Sequence, residues 1–268
     1  MTVVDGLDGL DGLGALDAAL DRLFIVIGVF DGLHLGHQYL LEHLVRGARR
    51  LDARPAVLTF DHHPDEVLTG QAPPLLCDPD ERLERLEAAG VEVTIVQTFD
   101  VALRETPYEV FVRRIADAVD LAGFLMTPES AFGFERRGTP ETVTALGRKM
   151  GYEVVVVPPF TLDGSSVSSS EIRRAITAGD LVRAARLLGR PVSITGEVGD
   201  RDDGGAGARL AFELPVVLPP SGRYPVLLAT AAEPATGRRA QALVAIEGQE
   251  VSLIGDVQQG SRIRLTFA

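Results

Sequence analysis

"GVFDGLHLGHQ", residues 28–38, follows the apolar run "LFIVI" (23–27) and precedes a segment with helical spacing. Gly28, Gly32 and Gly36 lack a Cβ, so the backbone can turn sharply here and a ligand can approach it closely. A helix starting near Gly36 or His37 offers unpaired N–H groups and the positive end of its dipole. His34 and His37, three residues apart, add ring donors at the same place. These features predict an anion site suited to a polyphosphate. The turn is not a P-loop, because it has no Gly-Lys-Ser or Gly-Lys-Thr.

Outward from this turn the chain alternates two textures. Short apolar runs recur at 24–29, 55–60, 92–97, 123–127 and 152–157, with helical patterns between them. In the first helical pattern Leu40, Leu41, Leu44 and Val45 form one stripe. "DPDERLERLEAAG" (78–90) opens with Asp78 as an N-cap, Pro79 at the first helical position and Glu81 as a capping-box partner. Continuous apolar strands separated by helices predict an α/β fold, a parallel sheet covered on both faces. Ligands bind outside the carboxyl ends of such strands, which is where residues 28–38 fall.

Past "VSSSEIRRAITAGDLVRAARLLGRP" the helical period stops. Residues 191–268 hold short strand-like runs, "SITGEV", "RLAFELPVVL", "RYPVLLAT", "AQALVAIEG", "EVSLIG" and "RIRLTFA", broken by Gly, Pro and Asp. They predict a small antiparallel barrel or sandwich. The expected organisation is an acidic, flexible leader over 1–22, turning helical near "ALDAALDRL", then an α/β domain over 23–189 and a small β domain over 190–268.

Bulk properties narrow the function. A chain of 268 residues exceeds the usual single domain. The net charge of −12 argues against nonspecific binding to nucleic acid. No apolar run approaches the roughly 18 residues of a membrane-spanning helix. One cysteine, Cys77, allows neither an internal disulfide nor a cysteine-based zinc site. The five histidines (34, 37, 43, 62 and 63) lack carboxylate partners at ligand spacing, so no protein-held metal is expected. The N-terminus has neither the basic start nor the apolar stretch of a signal peptide, and a cytoplasmic enzyme is expected.

The long string Gly-x-Phe-Asp-Gly-x-His-x-Gly-His resembles the His-x-Gly-His signature of the nucleotidyltransferase superfamily. In detail it is similar to the adenylyltransferase module of the prokaryotic bifunctional FAD synthetases (riboflavin kinase/FMN adenylyltransferase). Further stretches agree in order: "TFDHHPDEVL" (59–68), "ERLERLEAAGVEVTIVQTFD" (81–100) and "VSSSEIRRAI" (167–176).

This resemblance implies a Rossmann-like nucleotidyltransferase domain that transfers AMP from ATP to FMN, giving FAD and pyrophosphate. His34 and His37 would contact the triphosphate, and Arg173 would hold the leaving phosphates through its forked donors. Gly28, Phe30, Asp31, Gly36, Ser168 and Ser169 would complete the ATP site. Phe60, His63, Pro64 and Ser130 would line the flavin side. Mg²⁺ would be held mainly by phosphate oxygens and water.

The chain also departs from the family pattern. Ser130 and Ala131 stand in "TPESAFGFERRG" (127–138) about where the family carries Asp or Asn and Phe. Val29 replaces a common Asn and His62 a common Pro. "ARLAFELPVVLPPSGRYPVLL" lacks the Pro-Thr-Ala-Asn of the kinase module, although Glu250 falls near its glutamate. The β domain is therefore expected to lack riboflavin kinase activity and to serve stability or self-association. Two alternatives remain open at this point: a cytidylyltransferase-like enzyme using another small phosphate acceptor, and a non-catalytic flavin- or nucleotide-binding paralogue.

Overall fold

The computed structural model describes residues 1–9, 22–201, 207–230, 240–254 and 258–268. Along the chain run β1 (Thr2–Asp5), β2 (Arg22–Ile27), a 3-10 turn (Asp31–Leu33), α1 (Leu35–Arg50), β3 (Arg54–Phe60), α2 (Pro64–Thr69) and α3 (Pro79–Ala88). Then come β4 (Val93–Gln97), α4 (Val101–Arg104), α5 (Tyr108–Ala118), β5 (Asp120–Met126), α6 (Pro140–Met150) and β6 (Glu153–Val156). A two-stranded ribbon of β7 (Thr161–Leu162) and β8 (Ser165–Ser166) leads to α7 (Ser169–Thr177) and α8 (Leu181–Leu188). The remaining strands are β9 (Ser193–Arg201), β10 (Ala208–Ala211), β11 (Gly222–Thr230), β12 (Ala240–Glu247), β13 (Glu250–Ile254) and β14 (Arg262–Phe267).

Two compact units emerge. The first takes in Met1–Phe30, Gly36–Pro73 and Leu83–Ser166, the second Asp31–Leu35, Pro74–Arg82 and Val167–Ala268. The change of texture near residue 190 lies inside the second unit, between α8 and β9.

The first unit carries a six-stranded sheet in the order β1-β4-β3-β2-β5-β6, parallel throughout. Alternate residues of β2 serve opposite faces. Leu23 and Ile25 join Ala56, Leu58, Val93 and Ile95 under Phe111, Val112 and Ile115 of α5 and Val143 of α6. Phe24 faces the other way, onto α1, and so close that a Cβ on Gly47 would lie 2.6 Å from its ring. Full burial of each such side chain contributes about 1.5–3 kcal/mol.

Strand β1 lies within the stretch expected to be a leader. It is only four residues long, ends in Asp5 and runs into Gly6, so sequence gives it little weight. Pairing with β4, from Thr2 opposite Val93 to Asp5 opposite Val96, supplies the order that local propensity does not. The helix expected near "ALDAALDRL" falls outside the described residues.

In the second unit α7 and α8 precede a closed antiparallel barrel, β10-β13-β12-β11-β14-β9. Val198, Val226, Val244, Leu253, Ile263 and Leu265 are buried at alternating positions of its strands. Of the run "RLAFELPVVL", only the part up to Ala211 is strand. Closure removes sheet edges, which a small β domain otherwise has to protect.

Candidate active site

In the first unit the chain leaves β4 and passes back beyond β3 and β2 to form β5. The strand order therefore reverses between β2 and β5, the place where a parallel α/β sheet opens a crevice at its carboxyl edge. A cleft of about 220 Å³ lies there, with Ile27, Met126, Ser130, Phe132 and Arg136 among its walls. Gly28 N–H donates to the Leu58 carbonyl at 3.0 Å, and Thr59 Oγ1 donates to the Val29 carbonyl at 3.0 Å, pinning the exit of β2 onto β3. Phe30 adopts φ +53 and sets its ring 5.1 Å from the ring of His37. Gly36 and His37 occupy the first turn of α1, where backbone N–H groups lack intrahelical acceptors.

The residues expected on the flavin side do not all share this cleft. Ser130 lines it; Phe60, His63 and Pro64 do not. Phe60 is a core residue, edge-on to Phe99 with ring centres 5.3 Å apart. His63 caps α2: its Nδ1 accepts from Asp65 N–H at 3.2 Å, and Pro64 follows as the first helical residue. Ser130 Oγ accepts from the Thr127 amide at 2.9 Å, which closes the turn after β5.

In the second unit the Asp31–Leu35 turn is held from several sides. Gly32 takes φ +74 and Leu33 φ +37. Asp31, 3% exposed, accepts at Oδ1 from Leu76 N–H at 2.9 Å and from Cys77 N–H at 3.3 Å. Its Oδ2 accepts from Arg173 Nη2 at 2.5 Å. Arg173 Nε donates to the Pro74 carbonyl at 2.7 Å. Ser168 is the N-cap of α7, its Oγ accepting from Glu171 N–H at 3.3 Å, and Ser169 Oγ donates to the Asp31 carbonyl at 3.3 Å. Two segments far apart in sequence thus meet on one turn.

Electrostatics follow from burial. Burial, then the guanidinium groups of Arg190 and Arg173, push the His34 imidazole down to about 4, so the ring is neutral at pH 7. Burial raises the Asp31 carboxyl above its ordinary range, while Arg173, the amides of Leu76 and Cys77, and Arg82 pull the other way. Cys77 is pushed up to about 12, chiefly by burial, so it is an inert thiol whose Sγ accepts from Gly32 N–H at 3.3 Å.

Three arginines around these turns were not singled out by sequence reasoning. Arg82 and Arg190 act on Asp31 and His34, and Arg136 lines the β2/β5 cleft. Arg136 carried a faint signal, being part of the glycine-rich "FGFERRG". The amides of Leu76 and Cys77 carried none, since backbone donors have no side-chain signature. Among the described residues no three His, Cys, Asp or Glu side chains are grouped to hold a metal ion. The carboxylate of Asp31 is spent on two amides and a guanidinium. The donor set therefore does not fit a protein-held Mg²⁺. Among the described residues no helix is long and apolar enough to cross a membrane.

Comparison with known proteins places this chain in a family. The chain is 35% identical over 176 residues to the bifunctional riboflavin kinase/FMN adenylyltransferase of Haemophilus influenzae, covering 65% of this chain and 57% of that protein. With the enzyme of the same name from Bacillus subtilis it shares 30% identity over 210 residues, 75% of this chain and 66% of that one. The chain thus spans little more than half the length of the H. influenzae relative. A crystal structure described as a macrolide-efflux protein from Streptococcus pneumoniae has the same fold, with a TM-score of 0.78 at 23% identity over 100% of this chain and 90% of that one. The FAD synthetase family model matches residues 17–171, more than half of the sequence, and the chain belongs to that family.

Proposed function

We propose that this chain is an FMN adenylyltransferase. In this reading an oxygen of the FMN phosphate attacks the α-phosphorus of MgATP, the bond to the bridging oxygen breaks, and FAD and pyrophosphate leave. The attacking phosphate is already ionised, so no strong general base is needed. The protein's task is to align two anions and stabilise charge on the leaving group. Membership of the FAD synthetase family supports the reaction class.

The observation that carries the site assignment is the link between Arg173 and Asp31 within the glycine-rich turn. Two of the five guanidinium N–H groups are engaged with Asp31 and Pro74 in the bonds described above, which leaves donors for phosphate oxygens. His34, neutral, and His37, in the first turn of α1, are the proposed imidazole donors to the triphosphate. Ser168 and Ser169 open α7 beside Arg173, and Gly28, Phe30 and Gly36 are the further residues proposed for ATP. On the acceptor side the cleft at β2/β5, with Ser130 and Arg136, is the proposed flavin nucleotide side; Phe60, His63 and Pro64 lie outside its lining. Mg²⁺ enters with the substrate phosphates.

The β domain is proposed to lack riboflavin kinase activity. Its segment 208–218 has no Pro-Thr-Ala-Asn, and Glu250 is largely exposed with Arg209 Nη2 3.6 Å away. A second reading keeps nucleotidyl transfer and changes the acceptor. It is favoured by Ser130, whose hydroxyl is turned onto the Thr127 amide where the family carries a longer side chain.

Incubation with MgATP or MgCTP and with FMN, riboflavin or glycerol 3-phosphate, followed by mass analysis, separates these readings. FAD from FMN supports the proposal. FMN from riboflavin overturns the statement about the β domain. A CDP-linked product favours the second reading, and binding without product favours a non-catalytic paralogue.

A further inference from the structure

The Asp31 side chain does more than close a turn. Its two oxygens reach three partners on two separate stretches of chain: the amides of Leu76 and Cys77, and the Nη2 of Arg173. Arg173 in turn spends Nε on the Pro74 carbonyl, so Pro74–Cys77 and α7 are tied through one carboxylate and one guanidinium. Both side chains are sheltered, 3% and 12% exposed, so water competes little for these bonds. Leu75, within the same stretch, is fixed as well: its N–H donates to the Pro215 carbonyl at 2.8 Å, and Val217 N–H donates to the Leu75 carbonyl at 2.9 Å.

A planar guanidinium held at Nε and at one Nη has no rotational freedom left about its own axis. Its remaining edge points in one direction, whatever the ligand does. For catalysis by charge stabilisation this matters, because donors aligned before the reaction need not be reorganised during it. A guanidinium without the carboxylate keeps its charge and loses its direction.

We infer that Asp31 is a positioning residue, which holds the Arg173 fork at a fixed angle so that its free edge meets the departing phosphates of ATP, and does not itself touch nucleotide or metal. This rests on the proposed role of Arg173. It differs from a role for Asp31 in ATP or metal binding, where its loss would act independently of Arg173.

The test is a double-mutant cycle on the full chain, with MgATP and FMN as substrates. Asp31→Asn is expected to lower kcat at least tenfold with little change in the KM for FMN. In an Arg173→Ala background the same change is expected to cost less than twofold, because there is no fork left to aim. Arg173→Lys, which keeps the charge and cannot be held at two points, is expected to lose about as much as Asp31→Asn. A loss for Asp31→Asn that multiplies with that of Arg173→Ala overturns the inference, as does an unchanged kcat for Asp31→Asn. An unchanged rate for Arg173→Ala removes the underlying site reading instead. Should Asp31→Asn fold poorly, ¹⁵N spectra of the wild-type protein decide: separate, slowly exchanging Nη signals for Arg173 support a locked fork, and averaged signals overturn it.

Discussion

A Cβ on Gly32 would lie 2.8 Å from the Cβ of Leu76, closer than two such carbons pack. The glycine also sits at φ +74, which costs an L-residue about 1–2 kcal/mol. Both penalties fall on the turn that carries Asp31, and the Leu76 amide is one of that carboxylate's donors. Gly32→Ala is expected to destabilise the protein by about 2–5 kcal/mol, the sum of backbone strain and overpacking. Gly70 supplies the control: φ is +80, but nothing lies within 4 Å of its added Cβ. Gly70→Ala should therefore lose only about 1–2 kcal/mol. Urea unfolding of the two variants checks the difference; equal losses would mean that the Leu76 contact is irrelevant.

The turn itself was legible because its chemistry lies in side chains and glycines that sit together in sequence. The same holds for the parallel sheet, whose strands are continuous apolar runs, and for the barrel, whose strands alternate between Gly- and Pro-rich breaks. Strand β1 was hidden because its order comes from β4, some ninety residues away. The partners of Asp31 were hidden for a related reason: a carboxylate after Phe30 reads equally well as a ligand or as an anchor. Only the folded chain brings Pro74–Cys77 and α7 to it. His63 shows that one residue can carry two readings, since a histidine that resembles a site residue also caps a six-residue helix.

His34 makes stability depend on pH. Its folded pKa is depressed to about 4 by burial, Arg190 and Arg173, against about 6.5 in an unfolded chain. Between these values the unfolded state binds the proton and the folded state does not, so stability rises with pH. The contribution is fully present above pH 6.5 and is lost as pH falls towards 4, about 3 kcal/mol in all. The raised carboxyl of Asp31 works in the reverse sense, favouring the folded state at the acid end. The comparison is therefore between the wild-type protein and His34→Gln. Urea unfolding from pH 4 to 7 should give a flatter curve for the variant, and parallel curves would refute the assignment.

A buried ion pair sets a second stability test. Glu81, 1% exposed, has its carboxylate 3.5 Å from Arg264 Nε and accepts from Ser193 Oγ at 3.1 Å and Thr195 Oγ1 at 3.3 Å. Breaking a buried ion pair by removing one of its charges typically costs about 3–5 kcal/mol. Glu81→Ala is expected to lose that much. The double variant Glu81→Met, Arg264→Met should recover most of it, because apolar groups of similar volume need no partner. Thermal melts of the two variants decide. A double variant as unstable as the single one would show that the loss comes from packing or from the two hydroxyls.

His37 should matter for rate and little for stability. It lies in the first turn of α1, where the helix also offers its own N–H groups, and its ring contact with Phe30 is a modest packing interaction. An imidazole donor to the triphosphate contributes mainly where charge grows in the transition state, so its loss falls on kcat more than on binding. His37→Ala is expected to slow FAD formation at least about tenfold, with Arg173→Ala slowed by at least as much. His37→Asn, which keeps a donor of shorter reach, should lie between His37→Ala and the wild-type protein. Steady-state rates at saturating MgATP and FMN, with melting temperatures alongside, read the two effects separately. Wild-type rates for both His37→Ala and Arg173→Ala would place the phosphates elsewhere.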